Sequence, residues 1–338
     1  MNFGIYLQKS RSPFIIGKGL RKMTIGFFQL LYKLLSPCFD KCKESLMDNI
    51  NLKAYAKINL ALDVIGRRPN GYHDVRMIMQ TIRLYDKVNI KRIQTNDIIV
   101  KTNLHYLPTN ENNLVYAAAK LFKETLKIKD GVHVNLEKRI PVAAGMAGGS
   151  TDAAATLWGL NEMFETKLTL EELMKLGVTL GADVPYCLLR GTALSEGIGE
   201  ILTPLDNAPP CLCLVVKPPI SVSTKFVYEN LVLDSNIEHP NIDGMIKAIH
   251  SRDLLKVSSL LGNVLESVTL QEYPQIKQIK DELLSLGATG ALMSGSGPTV
   301  FGLFNDKKLA EKAFYQFKVG EYGKQTFLTS FYHPKSFS

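Results

Sequence analysis

The stretch with the clearest chemical content is Pro141-Val142-Ala143-Ala144-Gly145-Met146-Ala147-Gly148-Gly149-Ser150-Thr151. Eight of these eleven positions are Gly, Ala, Ser or Thr, so the backbone can turn tightly and bring a bulky group against its amides. After it, residues 152 to 164 read as a helix with Ala155, Leu157, Leu160 and Phe164 on its apolar face. A helix N-terminus offers unpaired N–H groups and about half a positive charge, which suits a phosphate. Ser150 and Thr151 add hydroxyls where a metal or a phosphate oxygen could sit. No lysine precedes Ser150, so the Walker pattern is absent and the chain is not a P-loop NTPase. Taken alone, the run also fits a plain small-residue turn packed on a neighbour.

Several elements must position this loop. Val132, Val134 and Leu136 alternate with polar residues and predict a strand leading into it. From Leu52 to Ile65 the pattern predicts a strand pair or one long strand, with Ala56, Ile58, Leu60 and Leu62 on one face and Lys57 and Asn59 on the other. By itself Lys57 reads as a solvated strand lysine. Gly66 to His73 is a turn by its Pro69-Asn70-Gly71 content, and it delivers Tyr72 and His73 together into a loop. A strand over Met77 to Val88, a polar segment over 91–113 and a helix over Leu114 to Leu126 follow.

A helix from Leu168 to Leu180 leads into Gly181-Ala182-Asp183-Val184-Pro185, where Asp183 alone reads as a turn or cap aspartate. Asn207-Ala208-Pro209-Pro210 has linker composition. Beyond it the pattern predicts a strand at Cys211 to Lys217, a helix starting at Lys225, helices over Leu254 to Val268 and Gln275 to Leu286, a helix over Lys307 to Phe317 and a strand over Thr326 to Phe331. Ser294-Gly295-Ser296-Gly297 is a second small-residue loop able to bring amides to an anion.

A chain of 338 residues with 46% hydrophobic content favours two domains. The expected division is a basic extension at 1–46, a first domain at 47–206 and a second at 207–338. Residues 1–46 hold eight Lys/Arg and two Asp/Glu, a local +6 that leaves +2 of the total +8 for the other 292 residues. A nucleic-acid footprint should lie on the folded domain, so no nucleic-acid partner is expected. The apolar run Ile25 to Leu35 is too short and interrupted to span a bilayer, and no membrane contact is expected for 47–338. The extension fits a basic amphipathic surface helix, a transit peptide for plastid import, or untranslated sequence ahead of a start at Met47. The last would place the protein in a bacterial cytoplasm. Five cysteines without a paired framework or metal-ligand spacing fit a reducing compartment, with Cys187, Cys211 and Cys213 as small core residues.

The 141–151 run resembles the phosphate loop of the GHMP small-molecule kinases, although residues 143, 144 and 147 are alanine where many relatives carry glycine. Ala56-Lys57-Ile58-Asn59-Leu60, then Gly66-Arg67-Arg68 with Gly71-Tyr72-His73, Leu180 to Pro185, Gly191 to Pro204 and Gly287 to Phe301 resemble, in order, the 4-diphosphocytidyl-2-C-methyl-D-erythritol kinase family. The likeness covers most of the chain. It implies an α+β architecture of two domains, a mixed α/β nucleotide domain followed by a ferredoxin-like domain, with the active site in the cleft between them. It further implies ATP on the 141–151 loop, magnesium, and a small-molecule cytidine diphosphate substrate. Lys57 and Asp183 become the catalytic pair. Asn59, Tyr72, His73 and Tyr228 become substrate contacts, with Tyr228 opposite Tyr72, and Gly197 and Gly199 lie near the substrate. An aromatic ring stacked on cytosine contributes about 1–3 kcal/mol. Residues 91–113 would lie near the adenine. No magnesium ligand is assigned. A GHMP kinase for mevalonate, homoserine or a sugar would explain the loops but leave Gly71-Tyr72-His73 without a purpose.

Overall fold

The computed structural model describes residues 48–235 and 237–334. The expectations for the 1–46 extension, the start at Met47, Cys38 and Cys42 lie outside the described residues.

The long apolar alternation after residue 48 forms one strand, β1 (Asn49–Arg67), paired antiparallel with β2 (His73–Ile93) through the Pro-Asn-Gly turn. The single-face reading of β1 needs correction. The register shifts between Asn59 and Ala61, and such a bulge reverses which side chains face which side. Ile58, Leu60 and Ala61 therefore join one core, whereas Leu62 and Val64 join the other. Nor is the opposite face of β1 solvated: Lys57 is 5% exposed and Asn59 0%.

β2 is long enough to hold two partners along its other edge, β4 (Gly131–Glu137) and β5 (Thr192–Glu196). β3 (Ile98–Thr102) forms inside the polar 91–113 segment and runs parallel to β4. β6 (Ile201–Pro204) pairs β5, completing with the two-residue β8 (Gly262–Asn263) a seven-stranded sheet. α1 (Leu114–Leu126) starts on the Asn113 cap and packs beside α2 (Gly148–Met163). α2 is buried nearly all round because it lies between the sheet, α1 and α4 (Val184–Leu189), which follows α3 (Leu170–Val178).

The second sheet has strand order β11 (Thr326–Ser330), β7 (Leu212–Val216), β10 (Val300–Phe304), β9 (Gly290–Met293), all antiparallel. That is the ferredoxin-like order. Before β9 lie α5 (Thr224–Glu229), α6 (Ile242–His250), α7 (Leu254–Ser259), α8 (Glu266–Glu272) and α9 (Pro274–Ser285); α10 (Lys307–Val319) precedes β11. The single helix expected over 254–268 is broken, because Gly262 and Asn263 leave it to pair parallel with Ala61 and Leu62 of β1. The Asn263 amide then bridges the carbonyls of Met293 and Gly295. After β11 the chain returns to the first sheet. Phe331 pairs with Ile82, the Tyr332 N–H donates to Thr81 O at 2.8 Å, and the Gln80 amide donates to Tyr332 O at 3.3 Å. The Tyr332 ring stacks on Tyr55 at 4.3 Å. Cys187 and Cys213 are buried and Cys211 half-buried, all three as free thiols.

Candidate active site

The loop after β4 begins on a buried charge cluster. Lys138 donates to Asp86 and, at 2.6 Å, to Asp152 in the first turn of α2. The other Asp86 oxygen accepts the main-chain N–H of Arg139 and, at 2.8 Å, that of Ile140. One carboxylate thus fixes the direction in which residues 139–141 leave the sheet. Burial pushes the Asp152 carboxyl up, Lys138 opposes this, and the Asp86 charge adds to it. The second Asp152 oxygen is buried without a partner.

From there the backbone alternates. Ala143, Gly145 and Ala147 have φ of 49°, 69° and 54°. Such left-handed positions at every second residue can turn N–H groups toward one concavity. For the two alanines they cost roughly 1–2 kcal/mol each, strain of the kind held at binding sites. α2 starts at Gly148, so Gly148 to Thr151 form its first turn, and Ala147 caps it with no side-chain acceptor. The first N–H groups are left for a ligand.

This loop forms one wall of a cleft of about 470 Å³. Pro141 to Gly145 and Ala147 to Ser150 line it, together with Lys57, Asp183 and Tyr228. Leu107, Pro108, Asn112 and Asn113 line it as well, in the region expected near adenine. The Met146 side chain points into the core, its carbonyl accepting the Lys57 N–H at 3.2 Å, and Thr151 is 3% exposed. Neither lines the cleft.

Lys57 and Asp183 share the cleft without bonding each other. The Lys57 ammonium donates to Asn59 Oδ1 at 2.7 Å, and Asn59 itself is fully buried, so it holds the lysine. Asp183 stands at the N-terminus of α4 but caps none of its N–H groups. Tyr228, on α5, faces His73 with ring centroids 5.1 Å apart, not Tyr72, which is 60% exposed. Burial and then the charge of Asp183 push the Tyr228 phenol up to about 12. Burial and then Arg67 pull His73 down, so its ring is neutral at pH 7.

Asp86, Lys138 and Asp152 went unseen in the sequence, because 52 and 14 positions separate the partners of Lys138. Lys138, three residues before Pro141, was the one local signal. Thr224 and Ser296 also line the cleft and bond each other at 2.8 Å.

Comparison with known proteins fits this geometry. The GHMP kinases N terminal domain matches residues 113–191, and the GHMP kinases C terminal domain matches residues 245–320. The chain is 72% identical over 290 residues to the 4-diphosphocytidyl-2-C-methyl-D-erythritol kinase of Lachnoclostridium phytofermentans, covering 86% of this chain and all of that one. It belongs to that kinase family. A second family member, from Lachnospira eligens, is 56% identical over 85% of this chain and 100% of its own. The crystal structure of a 4-(cytidine 5'-diphospho)-2C-methyl-D-erythritol kinase superposes with a TM-score of 0.73 at 30% identity, covering 84% of this chain and 100% of that one. Homoserine kinase from Cytophaga hutchinsonii, at 19% identity, a TM-score of 0.68 and coverage of 85% and 94%, shares the family's fold.

Proposed function

We propose that this chain transfers the γ-phosphoryl group of ATP to the 2-hydroxyl of 4-diphosphocytidyl-2-C-methyl-D-erythritol, giving the 2-phosphate and ADP in the non-mevalonate route to isoprenoid precursors. The observation that carries the reading is the convergence of the 141–150 wall, Lys57, Asp183 and Tyr228 on one cleft. Phosphoryl transfer needs positioning and charge neutralisation more than covalent help from the protein. The loop amides and the α2 N-terminus hold the ATP phosphates. The Asp183 carboxylate, free of hydrogen bonds to the described residues, orients the substrate hydroxyl and takes its proton. Lys57, held by Asn59, stabilises the charge that develops on the transferring group. His73 and Tyr228 hold the cytosine, and Tyr72 extends that wall from the loop.

Magnesium fits the donor set. Among the described residues no group of three or more His, Cys, Asp or Glu could cage a metal. Magnesium keeps several waters and takes few protein ligands when it arrives on phosphates. The Ser150 hydroxyl, which lines the cleft, would be the loop's oxygen donor toward such an ion, which would supply neutralisation of phosphate charge. The division at 206/207 falls between Pro204, where the first sheet's β6 ends, and Leu212, where the second sheet begins. A cytoplasmic site of action accords with bacterial relatives. Among the described residues no helix is long and apolar enough to cross a membrane.

The test is ATP consumption with magnesium, offering the cytidine substrate beside mevalonate, homoserine and galactose, with Asp183→Ala as control. Turnover of the cytidine substrate alone, lost in the variant, is expected. Turnover of mevalonate, homoserine or galactose instead would refute the cytidine site.

A further inference from the structure

The two groups assigned to the chemistry have no bond of their own to set their spacing. Lys57 donates to Asn59, and the Asp183 carboxylate has no hydrogen-bond partner among the described residues. Something else must fix the distance between an ammonium on β1 and a carboxylate at the head of a six-residue helix.

A closed ring of hydrogen bonds does so. Tyr186 lies one turn after Asp183 on α4, and its side chain is 1% exposed. Its phenol donates to the Gly191 carbonyl at 2.7 Å and lies 2.9 Å from the Thr81 hydroxyl. A phenol carries one proton, already given to Gly191, so Thr81 must donate to it. The Thr81 N–H donates in turn to the same Gly191 carbonyl at 2.9 Å, which closes the ring. Thr81 is the residue that β2 sets opposite Lys57. The ring therefore runs from the strand partner of Lys57 to the helix that carries Asp183.

We propose that Tyr186 is a positioning residue that fixes the Lys57–Asp183 spacing through Thr81 and Gly191, an inference that rests on the kinase roles given above to those two side chains. Packing alone would be served by phenylalanine, whereas a buried hydroxyl needs partners, and here both partners belong to the active-site scaffold. Burial pushes the Tyr186 phenol well up, so it remains a donor across the working pH range. The backbone supports the anchor: Arg190 and Gly191 end α4 at φ of 65° and 76°, turning the Gly191 carbonyl back toward Tyr186.

The experiment measures kcat, both KM values and thermal unfolding in the full chain for Tyr186→Phe, Thr81→Val, the double variant, Thr81→Ser and Asp183→Ala. Tyr186→Phe should lower kcat about 10- to 100-fold, the scale of an ångström-sized misplacement, with each KM within about threefold. Thr81→Val should act in the same direction. The double variant should be no worse than the worse single, because both cut one ring. Thr81→Ser, which keeps the donor, should restore turnover. A lower melting temperature with wild-type kcat in Tyr186→Phe would make the hydroxyl merely structural and overturn the proposal. If Tyr186→Phe does not fold, equal kcat in Thr81→Val and Thr81→Ser overturns it as well. Activity surviving in Asp183→Ala would instead sink the kinase role of Asp183, a separate failure.

Discussion

Ser294 donates its hydroxyl to the main-chain carbonyl of Gly145 at 2.9 Å, so the second small-residue loop is the floor on which the anion loop stands. The approach is close: a Cβ added to Gly145 would lie 2.1 Å from the Ser294 carbonyl oxygen, at a φ of +69°. Gly145→Ala should raise the KM for ATP by about tenfold or more, since neither backbone can yield. Ser294→Ala loses one hydrogen bond, about 1 kcal/mol or roughly fivefold. Kinase assays at varied ATP check both, and an equal rise in the KM for the cytidine substrate would contradict a local effect.

Tyr228 and His73 should govern the other substrate. Tyr228→Ala removes a stacking ring, so the KM for the cytidine substrate should rise about tenfold, with that for ATP unchanged. The pH dependence follows from the depressed His73. Its ring protonates only below 6.5, the ordinary histidine value, because burial and Arg67 disfavour the charged form. The KM should therefore climb on acidification with a midpoint below 6.5. A rise centred at 6.5 or above would contradict the assignment.

Asp152 offers a stability test with a definite sign. Its carboxyl titrates above the ordinary 3.8 in the folded chain, pushed up by burial, while Lys138 opposes the rise and Asp86 reinforces it. Between the unfolded and folded values the folded state binds more protons, so wild-type stability falls as pH rises through that interval. Asp152→Asn escapes this loss. Its melting temperature relative to wild type should increase as pH rises from 3.8, then level off; a difference independent of pH would refute the buried-carboxylate account.

Gly159 lies mid-helix in α2, where alanine is favoured by about 1 kcal/mol on propensity. Packing reverses the sign. A Cβ there would meet Leu52 Cδ1 at 2.5 Å and Ile90 Cδ1 at 2.7 Å, on the sheet against which the helix lies. Gly159→Ala should destabilise by about 1–3 kcal/mol, measured by urea denaturation. A stabilised variant would show that the Leu52 and Ile90 methyls can turn aside.

The anion loop was legible because small residues before a helical pattern act locally. α1 was legible for the same reason, its cap at Asn113 and its periodicity lying within one window. Lys57 was not. Its alternation with apolar residues implied a wet face, but that face is covered by the loop whose Met146 carbonyl bonds the Lys57 N–H. The bulge near residue 60 moved Leu62 across the sheet, and no period-2 pattern carries a register shift. The partner of Tyr228 was misassigned to Tyr72 because sequence order cannot rank two adjacent loop side chains. The break at Gly262–Asn263 arises from a strand some two hundred positions upstream, visible only once the chain has folded.

The return of Phe331 and Tyr332 to β2 bears on how the protein is made. Gln80 and the Tyr332 carbonyl that it holds are 252 positions apart. A ribosome reading from the N-terminus releases β2 long before the segment that covers it, so Ile82 and the backbone of Thr81 await that cover through most of synthesis. Thr81 is the strand partner of Lys57. A nascent chain can close the 141–151 loop once Ser294 has emerged to support Gly145, but full turnover is expected only after residue 332 has left the exit tunnel. Stalled or prematurely ended products would bind nucleotide without completing the transfer.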